Sequence, residues 1–214
     1  MHELTSAAVA LMVCVAAGSY LAGCCNGAII TSFLFYHDDI RKHGSHNAGL
    51  TNFYRVYGGK FAVCVILVDM LKAFVAVKLG SVVFDAYLGL RLEGEYFSAL
   101  FCVIGHIFPA FYSFKGGKGI LCSGTLLLLL DWRIAAVGWG LFALLWLTTR
   151  YVSLGSVSGA ASFPITTLIF CRSNWTVFVL SLLIAALVIW AHRENIGRLL
   201  HGTESRFRWH TDAP

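Results

Sequence analysis

Long apolar stretches separated by short polar segments dominate the chain. Seven of them stand out, at residues 6–35, 61–79, 96–112, 119–131, 133–149, 154–171 and 175–191. Most reach or approach the roughly 20 apolar residues that a helix needs to cross a bilayer. The pattern predicts an all-α, polytopic integral membrane protein with about seven transmembrane helices. Little chain remains outside the spans, so we expect residues 1–214 to form a single membrane-embedded domain.

The fourth apolar stretch is too short to cross a membrane alone. Its 13 residues extend roughly 20 Å at about 1.5 Å per residue. Either the glycine-rich segment before it dips into the membrane, or the helix is tilted and covered by protein. Irregular backbone is tolerated at membrane depth only where protein buries it or where it lines a wet cavity. The stretch therefore points to a site near residues 116–119.

Basic residues are distributed unevenly between the two sides. Eleven of the sixteen Lys and Arg residues fall in the segments that seven spans would put on one side, 36–60, 113–118, 150–153 and 192–214. The opposite side holds four, and Lys72 lies inside the second span. Because positive residues gather in cytoplasmic loops, we predict an external N-terminus and a cytoplasmic C-terminus. The acidic connector 80–95 is then expected to be an external loop.

Composition narrows the classes of function. The chain is 58% hydrophobic and 13% charged, which excludes a disordered chain and argues against a water-soluble globule. The net charge of +5 fits membrane orientation rather than a nucleic-acid partner. Seven scattered cysteines predict neither a disulfide framework nor a zinc site. We expect no metal and no cofactor.

Four polar clusters fall on the predicted cytoplasmic side, at residues 39–55, 105–119, 151–153 and 192–204. In the second, glycines allow backbone amides to approach an anion, and Lys118 adds a positive charge. The helix that follows adds the positive end of its dipole. Taken alone, this cluster fits a phosphate site and a flexible basic turn near lipid headgroups equally well. It is not a Walker A loop, because Gly119 stands where Ser or Thr is needed.

The first and fourth clusters supply candidates for the same pocket. Arg55 suits phosphate because its planar fork binds two oxygens, although an interfacial loop that caps the next helix is the alternative. His192 and Asn195 share a helix face and are suited to hold a carbonyl oxygen or to assist proton transfer. A histidine at headgroup level, without a role in chemistry, is the alternative for His192. Glu204 is interpreted as a partner for nearby arginines.

Two charged residues lie inside the second apolar stretch. Asp69 and Lys72 are three residues apart, and charges in a membrane span are costly unless they are paired. A structural ion pair is therefore favoured over a path for substrate or protons. His106 and Pro109 are expected to end or kink the third span.

The order and spacing of these clusters resemble those of one family over nearly the whole chain. The matching strings are Asp39-Ile-Arg41 and Gly44-Ser-His-Asn-Ala-Gly-Leu-Thr-Asn52 with Arg55, Gly105-His-Ile-Phe-Pro109 with Phe114-Lys-Gly-Gly-Lys-Gly119, Arg150-Tyr-Val-Ser153, and His192-Arg-Glu-Asn-Ile196 with Arg198-Leu-Leu-His-Gly-Thr-Glu204. They resemble the bacterial acyl-phosphate:glycerol-3-phosphate acyltransferase family, PlsY. The resemblance implies seven spans and transfer of a fatty acyl group from acyl phosphate to the 1-hydroxyl of sn-glycerol 3-phosphate. It implies lysophosphatidic acid and phosphate as products, in the first step of phospholipid biosynthesis.

The resemblance also implies roles for individual residues. Ser45, Arg55, His192 and Asn195 take the catalytic positions, and Glu204 is the structural acid. The expected substrate-binding residues are Asn47, Asn52, Gly116, Gly117, Lys118, Gly119 and Ser153. The site is expected to face the cytoplasm from a bacterial plasma membrane, with membrane lipid around it and no obligate protein partner.

Two positions depart from the family pattern. His46 replaces the second glycine of Gly-Ser-Gly-Asn, and Cys24 stands where a serine is expected. If position 46 needs a positive φ, histidine carries a modest penalty there.

Two alternative functions predict other sequence features. Acyl-CoA-dependent glycerophosphate acyltransferases use a His-x4-Asp pair, and no histidine here has Asp five positions later. A membrane transporter of a phosphorylated small molecule or lipid is the alternative from another class. Transporters usually carry paired repeats, and the chain shows none.

Overall fold

The computed structural model describes residues 6–171 and 174–207, and that part of the chain is helical without any strand. The α-helices are α1 (Ser6–Cys24), α2 (Gly27–Tyr36), α3 (Leu50–Tyr57), α4 (Ala62–Leu88), α5 (Arg91–Ile107), α6 (Ile120–Leu130), α7 (Trp132–Thr149), α8 (Val152–Phe170), α9 (Trp175–Ala191) and α10 (Arg193–Leu200). Two 3₁₀ turns, Ile40–Lys42 and Ala110–Tyr112, lie in the loops that precede α3 and α6.

The first apolar stretch is broken into α1 and α2 at residues 25–26. Asn26 is fully buried and caps α2, because its side-chain oxygen accepts a hydrogen bond of 3.0 Å from the amide of Ile29. Gly27 follows, and a Cβ there would lie 2.5 Å from the carbonyl oxygen of Val65 on α4. The break therefore sits where α2 presses directly against the backbone of α4.

The prediction that residues 80–95 form a loop is wrong. Helix α4 continues to Leu88 and α5 begins at Arg91, so a two-residue turn joins them. Gly89 makes this turn possible with a φ of 67°, and its amide donates back to α4. The acidic side chains lie on the helix ends instead, where Glu95 accepts a hydrogen bond of 2.8 Å from Ser81.

Four segments are long and apolar enough to cross a membrane: Ser6–Tyr36, Arg91–Tyr112, Trp132–Thr149 and Val152–Phe170. Helices α9 and α10, joined at a bend of 59°, make a fifth if they count as one span. Helix α4 has 27 residues but carries Asp69, Lys72 and Lys78, and the 11 residues of α6 extend only about 17 Å. The chain is thus a multi-pass membrane protein. The number of seven spans and the orientation of the chain in the membrane stay predictions. Two of the basic residues on which the predicted orientation rests, Arg172 and Arg208, lie outside the described residues.

Packing brings the polar loops to one end of the bundle. Helices α1, α4 and α5 pack together, α5 also packs on α9, and α7 to α9 form the other half. Short α6 contacts both α4 and α7, and its Leu126 packs with Tyr96, Val103 and Phe163 in the main apolar core. The loops before α3 and α6 and the segment after α10 thereby meet around one cavity.

Candidate active site

A cavity of about 1050 Å³ extends from the polar loops into an apolar channel that α6, α7, α8 and α9 line. Polar groups at one end come from residues 45–55, 115–119 and 192–205. The apolar part is lined by side chains that include Leu126, Leu127, Phe142, Phe163, Ile184 and Val188. Every predicted catalytic and substrate-binding residue lines this cavity. The shape accommodates a ligand with a charged head and a long apolar chain.

Asn52 organises the loop that carries Ser45. Its amide nitrogen donates to the carbonyl oxygens of His43 (3.0 Å) and Asn47 (3.1 Å), and its oxygen accepts from the amide of Ser45 (2.8 Å). The predicted role of Asn52 in substrate binding is therefore revised, because both hydrogens of its amide already have acceptors within the loop. Asn47 contributes its backbone carbonyl to the same arrangement. The Ser45 side chain is exposed at the cavity, and it makes no hydrogen bond within the described residues.

Position 46 has the backbone conformation that glycine favours. The φ angle of His46 is 57°, in the left-handed region. A side chain there costs about 1 kcal/mol. The ring of His46 makes a compensating contact of 3.1 Å between Nδ1 and the carbonyl oxygen of Arg41.

Arg55 projects from α3 with an exposed side chain that lines the cavity. Its guanidinium forms no ion pair with a carboxylate in the described part of the chain. It is therefore available for the oxygens of a phosphate.

The glycine-rich loop binds the end of α5 with its first two amides. Gly116 donates to the carbonyl oxygen of Ile107 and Gly117 to that of His106, each at 3.1 Å. A Cβ at either position would collide with backbone carbonyl oxygens, those of His106 and Ala48. The expectation that these two amides bind an anion is thus replaced: Gly116 and Gly117 permit close packing. Gly119 is needed for another reason, its φ of 82°.

The backbone amides that are free to bind an anion begin at Lys118, the residue after Gly117. Within the described residues, the backbone amides from Lys118 to Cys122 donate no hydrogen bond, so they form an open N-terminus of α6. The Lys118 ammonium donates to the side-chain oxygen of Asn195. Burial, together with the nearby charge of Arg198, lowers the pKa of Lys118 below its usual value. Two of its hydrogens remain for a ligand.

Glu204 connects the segment after α10 to residues of α8 and α10. Its carboxylate accepts from Ser153 (2.6 Å), Asn195 (2.6 Å) and Arg198 (2.7 Å). Burial acts to raise the pKa of Glu204, but these three hydrogen bonds outweigh burial and hold it below the usual value. The Ser153 hydroxyl, predicted to bind substrate, donates to this carboxylate instead, and Asn195 bridges Glu204 to Lys118. This geometry fits the structural role expected of Glu204.

His192 offers one ring nitrogen to the cavity. Its Nδ1 lies 2.8 Å from the carbonyl oxygen of Val188, so Nδ1 carries the hydrogen of the neutral ring. Nε2 is then left with a lone pair. The residue is buried and lines the cavity, which places a proton acceptor at its polar end.

The partners of Arg41 and His106 could not be predicted from the sequence. Arg41 pairs with Asp39 and donates to the carbonyl oxygens of Tyr112 (2.7 Å) and Lys115 (3.2 Å), so it links the two loops. The string Asp39-Ile-Arg41 was the available signal. His106 faces Lys72, which forms an ion pair of 2.7 Å with Asp69. In the described residues no group of three or more His, Cys, Asp and Glu side chains could hold a metal ion.

Comparison with known proteins gives a consistent result. Residues 13–202 match the sequence profile of the family described as glycerol-3-phosphate acyltransferase. A glycerol-3-phosphate acyltransferase from Finegoldia magna is 41% identical over 187 residues, which cover 87% of this chain and 91% of that protein. One from Thermoanaerobacter sp. (strain X514) is 38% identical, over 91% of this chain and 94% of its own.

Solved structures agree with the sequence comparison. The chain is similar to crystal structures of PlsY (YgiH), an integral membrane glycerol 3-phosphate acyltransferase. The glycerol 3-phosphate form is 32% identical with a TM-score of 0.79, over 92% of this chain and 96% of that one. The lysophosphatidic acid form is 30% identical with a TM-score of 0.78, over 92% and 95%.

Proposed function

Since the chain belongs to the glycerol-3-phosphate acyltransferase family, we propose that its acyl donor is an acyl phosphate and its acceptor the 1-hydroxyl of sn-glycerol 3-phosphate. The products are then 1-acyl-glycerol 3-phosphate and inorganic phosphate. The observation that carries the proposal is a pair of cationic groups at the head of one apolar channel, Arg55 on α3 and Lys118 on the loop before α6. Two such groups match two substrates that each carry a phosphate.

The reaction requires orientation of the two substrates and neutralisation of their phosphate charges more than it requires a strong nucleophile. An acyl phosphate is a mixed anhydride whose phosphate leaves readily. The hydroxyl oxygen of glycerol 3-phosphate attacks the carbonyl carbon, the bond from that carbon to the phosphate oxygen breaks, and phosphate departs with the bonding electrons. Positive groups that neutralise charge in a partly dry cavity favour this step.

We assign the acceptor to the Lys118 side of the cavity. Lys118 and the open amides at the start of α6 bind the phosphate of glycerol 3-phosphate. Arg55 and the hydroxyl of Ser45 bind the phosphate of the donor, and the acyl chain lies among the apolar side chains between α6 and α9. Asn195 aims the Lys118 ammonium.

His192 is our candidate to receive the proton of the attacking hydroxyl. Its Nε2 has no hydrogen-bond partner in the described residues, and His192 lines the cavity that both substrates would share. His192→Ala should then abolish turnover almost completely. A loss of only about tenfold would instead show that a substrate phosphate takes the proton, because orientation alone would have been removed.

We also propose seven spans, an external N-terminus and a site on the cytoplasmic side of a bacterial plasma membrane, with no obligate protein partner. The excess of basic residues around the loops that form the cavity supports this orientation. Membrane-impermeant thiol labelling of single cysteines tests it. Position 115 should label only from the cytoplasmic side, and position 89 only from outside.

The donor can be tested with the purified protein in lipid. Labelled glycerol 3-phosphate is supplied with either an acyl phosphate or the matching acyl-CoA. We expect labelled lysophosphatidic acid from acyl phosphate alone. Equal or faster product formation from acyl-CoA would refute the proposed donor and leave the family membership intact.

A further inference from the structure

A buried charged cluster outside the proposed chemistry lies beneath the two loops of the site. It consists of Asp69 and Lys72 on α4 and His106 near the end of α5, none more than 4% exposed. The Lys72 ammonium lies 2.7 Å from the Asp69 carboxylate, 2.6 Å from Nδ1 of His106 and 3.0 Å from the carbonyl oxygen of Cys25. All three hydrogens of the ammonium are therefore directed to different elements of the fold.

On one side, the cluster supports the glycine-rich loop. Because Nδ1 of His106 accepts from Lys72, the imidazole is neutral and its orientation is fixed. The ring packs against the loop so closely that a Cβ on Gly117 would collide with Nε2. The backbone of His106 accepts the amide of Gly117 at 3.1 Å. The position of Lys118, the next residue, thus depends on where His106 is held.

On the other side, the cluster supports the loop that carries Ser45. Cys25, whose carbonyl binds Lys72, precedes Asn26 at the break between α1 and α2. The Asn26 amide nitrogen donates to the carbonyl oxygen of Ala48 at 3.0 Å. Asp69 in turn accepts from the amide of Gly27 at 3.1 Å, which fixes the start of α2.

The two loops also touch each other above this cluster. The carbonyl oxygen of Ala48 lies where a Cβ on Gly117 would be, beside the ring of His106. The separation between Ser45 and Lys118 is therefore set by elements that converge on one ammonium group.

We propose that Lys72 is a positioning residue, which through His106 and the break at Cys25–Asn26 holds the two phosphate-binding loops at the separation that acyl transfer requires. The proposal rests on the acyl-transfer function given above. It assigns Lys72 no contact with substrate, since Lys72 does not line the cavity, whereas its partners Asp69 and His106 do.

The energetics of buried ion pairs make this role testable. Removing one partner leaves an uncompensated charge and destabilises the fold strongly, whereas replacing both partners with neutral side chains is often tolerated. The double variant Asp69→Asn/Lys72→Met removes both charges and keeps the side-chain volumes similar. It frees the ring of His106 without leaving a buried charge.

A matched control exists at the opposite end of the same two helices. Ser81 on α4 donates to Glu95 on α5 at 2.8 Å, far from the loops in the chain and outside the cavity. Glu95→Gln weakens a contact between α4 and α5 as the double variant does, but it should leave the loops unchanged. Wild type, control and double variant are first shown to fold, by monodisperse elution and thermal midpoint, and wild type is shown to use acyl phosphate.

Steady-state kinetics with both substrates then decide. We expect the double variant to lose at least tenfold in kcat/KM, with a rise in KM for glycerol 3-phosphate, acyl phosphate or both, while Glu95→Gln stays within threefold of wild type. Because KM is independent of the fraction of active enzyme, a merely structural defect would not move it. Unchanged KM values for both substrates in the folded double variant would overturn the positioning role, with wild-type activity still supporting the proposed function.

A second variant covers the case in which the double variant does not fold. In His106→Asn, the side-chain oxygen can take the place of Nδ1 and satisfy Lys72, while the part of the ring beneath Gly117 is lost. We expect a similar rise in KM with little change in thermal midpoint. Wild-type KM values in folded His106→Asn would contradict the proposal.

Discussion

Replacement of Lys118 by methionine tests the assignment of the acceptor phosphate. The variant keeps the length and apolar stem of the side chain but removes its ammonium group. In the structure one ammonium hydrogen is directed to Asn195, which leaves two for a phosphate. The open amides from Lys118 to Cys122 remain in place, so binding should be weakened rather than abolished.

The size of the effect follows from those two hydrogen bonds. Each hydrogen bond to a charged group contributes about 1.5–3 kcal/mol. Two of them are worth about 3 kcal/mol at the lower limit, and every 1.4 kcal/mol is about a factor of ten. Lys118→Met should therefore lower kcat/KM for glycerol 3-phosphate by about 100-fold or more.

The assay measures incorporation of labelled glycerol 3-phosphate into lipid at saturating acyl phosphate. Lys42→Met is the matched control, because Lys42 is exposed and does not line the cavity. It removes one positive charge from the neighbouring loop and should stay within about twofold of wild type. A loss below fivefold in folded Lys118→Met, or an equal loss in Lys42→Met, would show that Lys118 does not bind the phosphate of glycerol 3-phosphate.

Three further outcomes are expected. His46→Gly and His46→Ala both lose the ring and its contact with Arg41, but only alanine keeps a Cβ at the positive φ, so the glycine variant should be the more stable of the two by about 1 kcal/mol; equal thermal midpoints would contradict the strain. Gly117→Ala should reduce acyl-transfer activity by at least tenfold, because its Cβ would collide with His106 and Ala48. Gly140→Ala is the control, since open space surrounds its Cβ, and its activity should be unchanged. Equal losses of activity in the two variants would contradict the close packing inferred at Gly117. The lowered pKa of Glu204 makes its stabilisation complete above its ordinary value of 4.5 and lost as the pH falls through the lower folded value. Acidification below about pH 4.5 should thus lower the thermal midpoint of wild type more than that of Glu204→Gln; parallel midpoint curves for the two proteins would contradict this role of Glu204.

The apolar pattern predicts most helices to within a few residues but not where they break or turn. Residues 6–35 read as one continuous stretch, because a single buried Asn26 does not interrupt the hydropathy that surrounds it. The acidic residues of segment 80–95 suggest a loop, yet Gly89 closes a two-residue turn and leaves Glu95 on a helix. Both differences arise from local backbone geometry, to which average hydropathy is insensitive.

The structure brings the predicted site residues to one cavity, but their hydrogen-bond partners could not be predicted from the sequence. All the expected binding and catalytic residues line one cavity. Whether a polar group is free for substrate depends on partners far away in the chain, such as Glu204 for Ser153 or Asn195 for Lys118. Gly116 and Gly117 likewise owe their role to the carbonyl groups of α5 rather than to an anion.

The most direct test of the account follows both phosphates through one reaction. Donor and acceptor phosphate groups are labelled with different isotopes, and the purified protein in lipid is allowed to turn over. We expect the donor label to appear as inorganic phosphate, one for each lysophosphatidic acid formed, while the acceptor label stays in the lipid product. Donor label retained in the lipid, or inorganic phosphate released at the same rate without glycerol 3-phosphate, would contradict it.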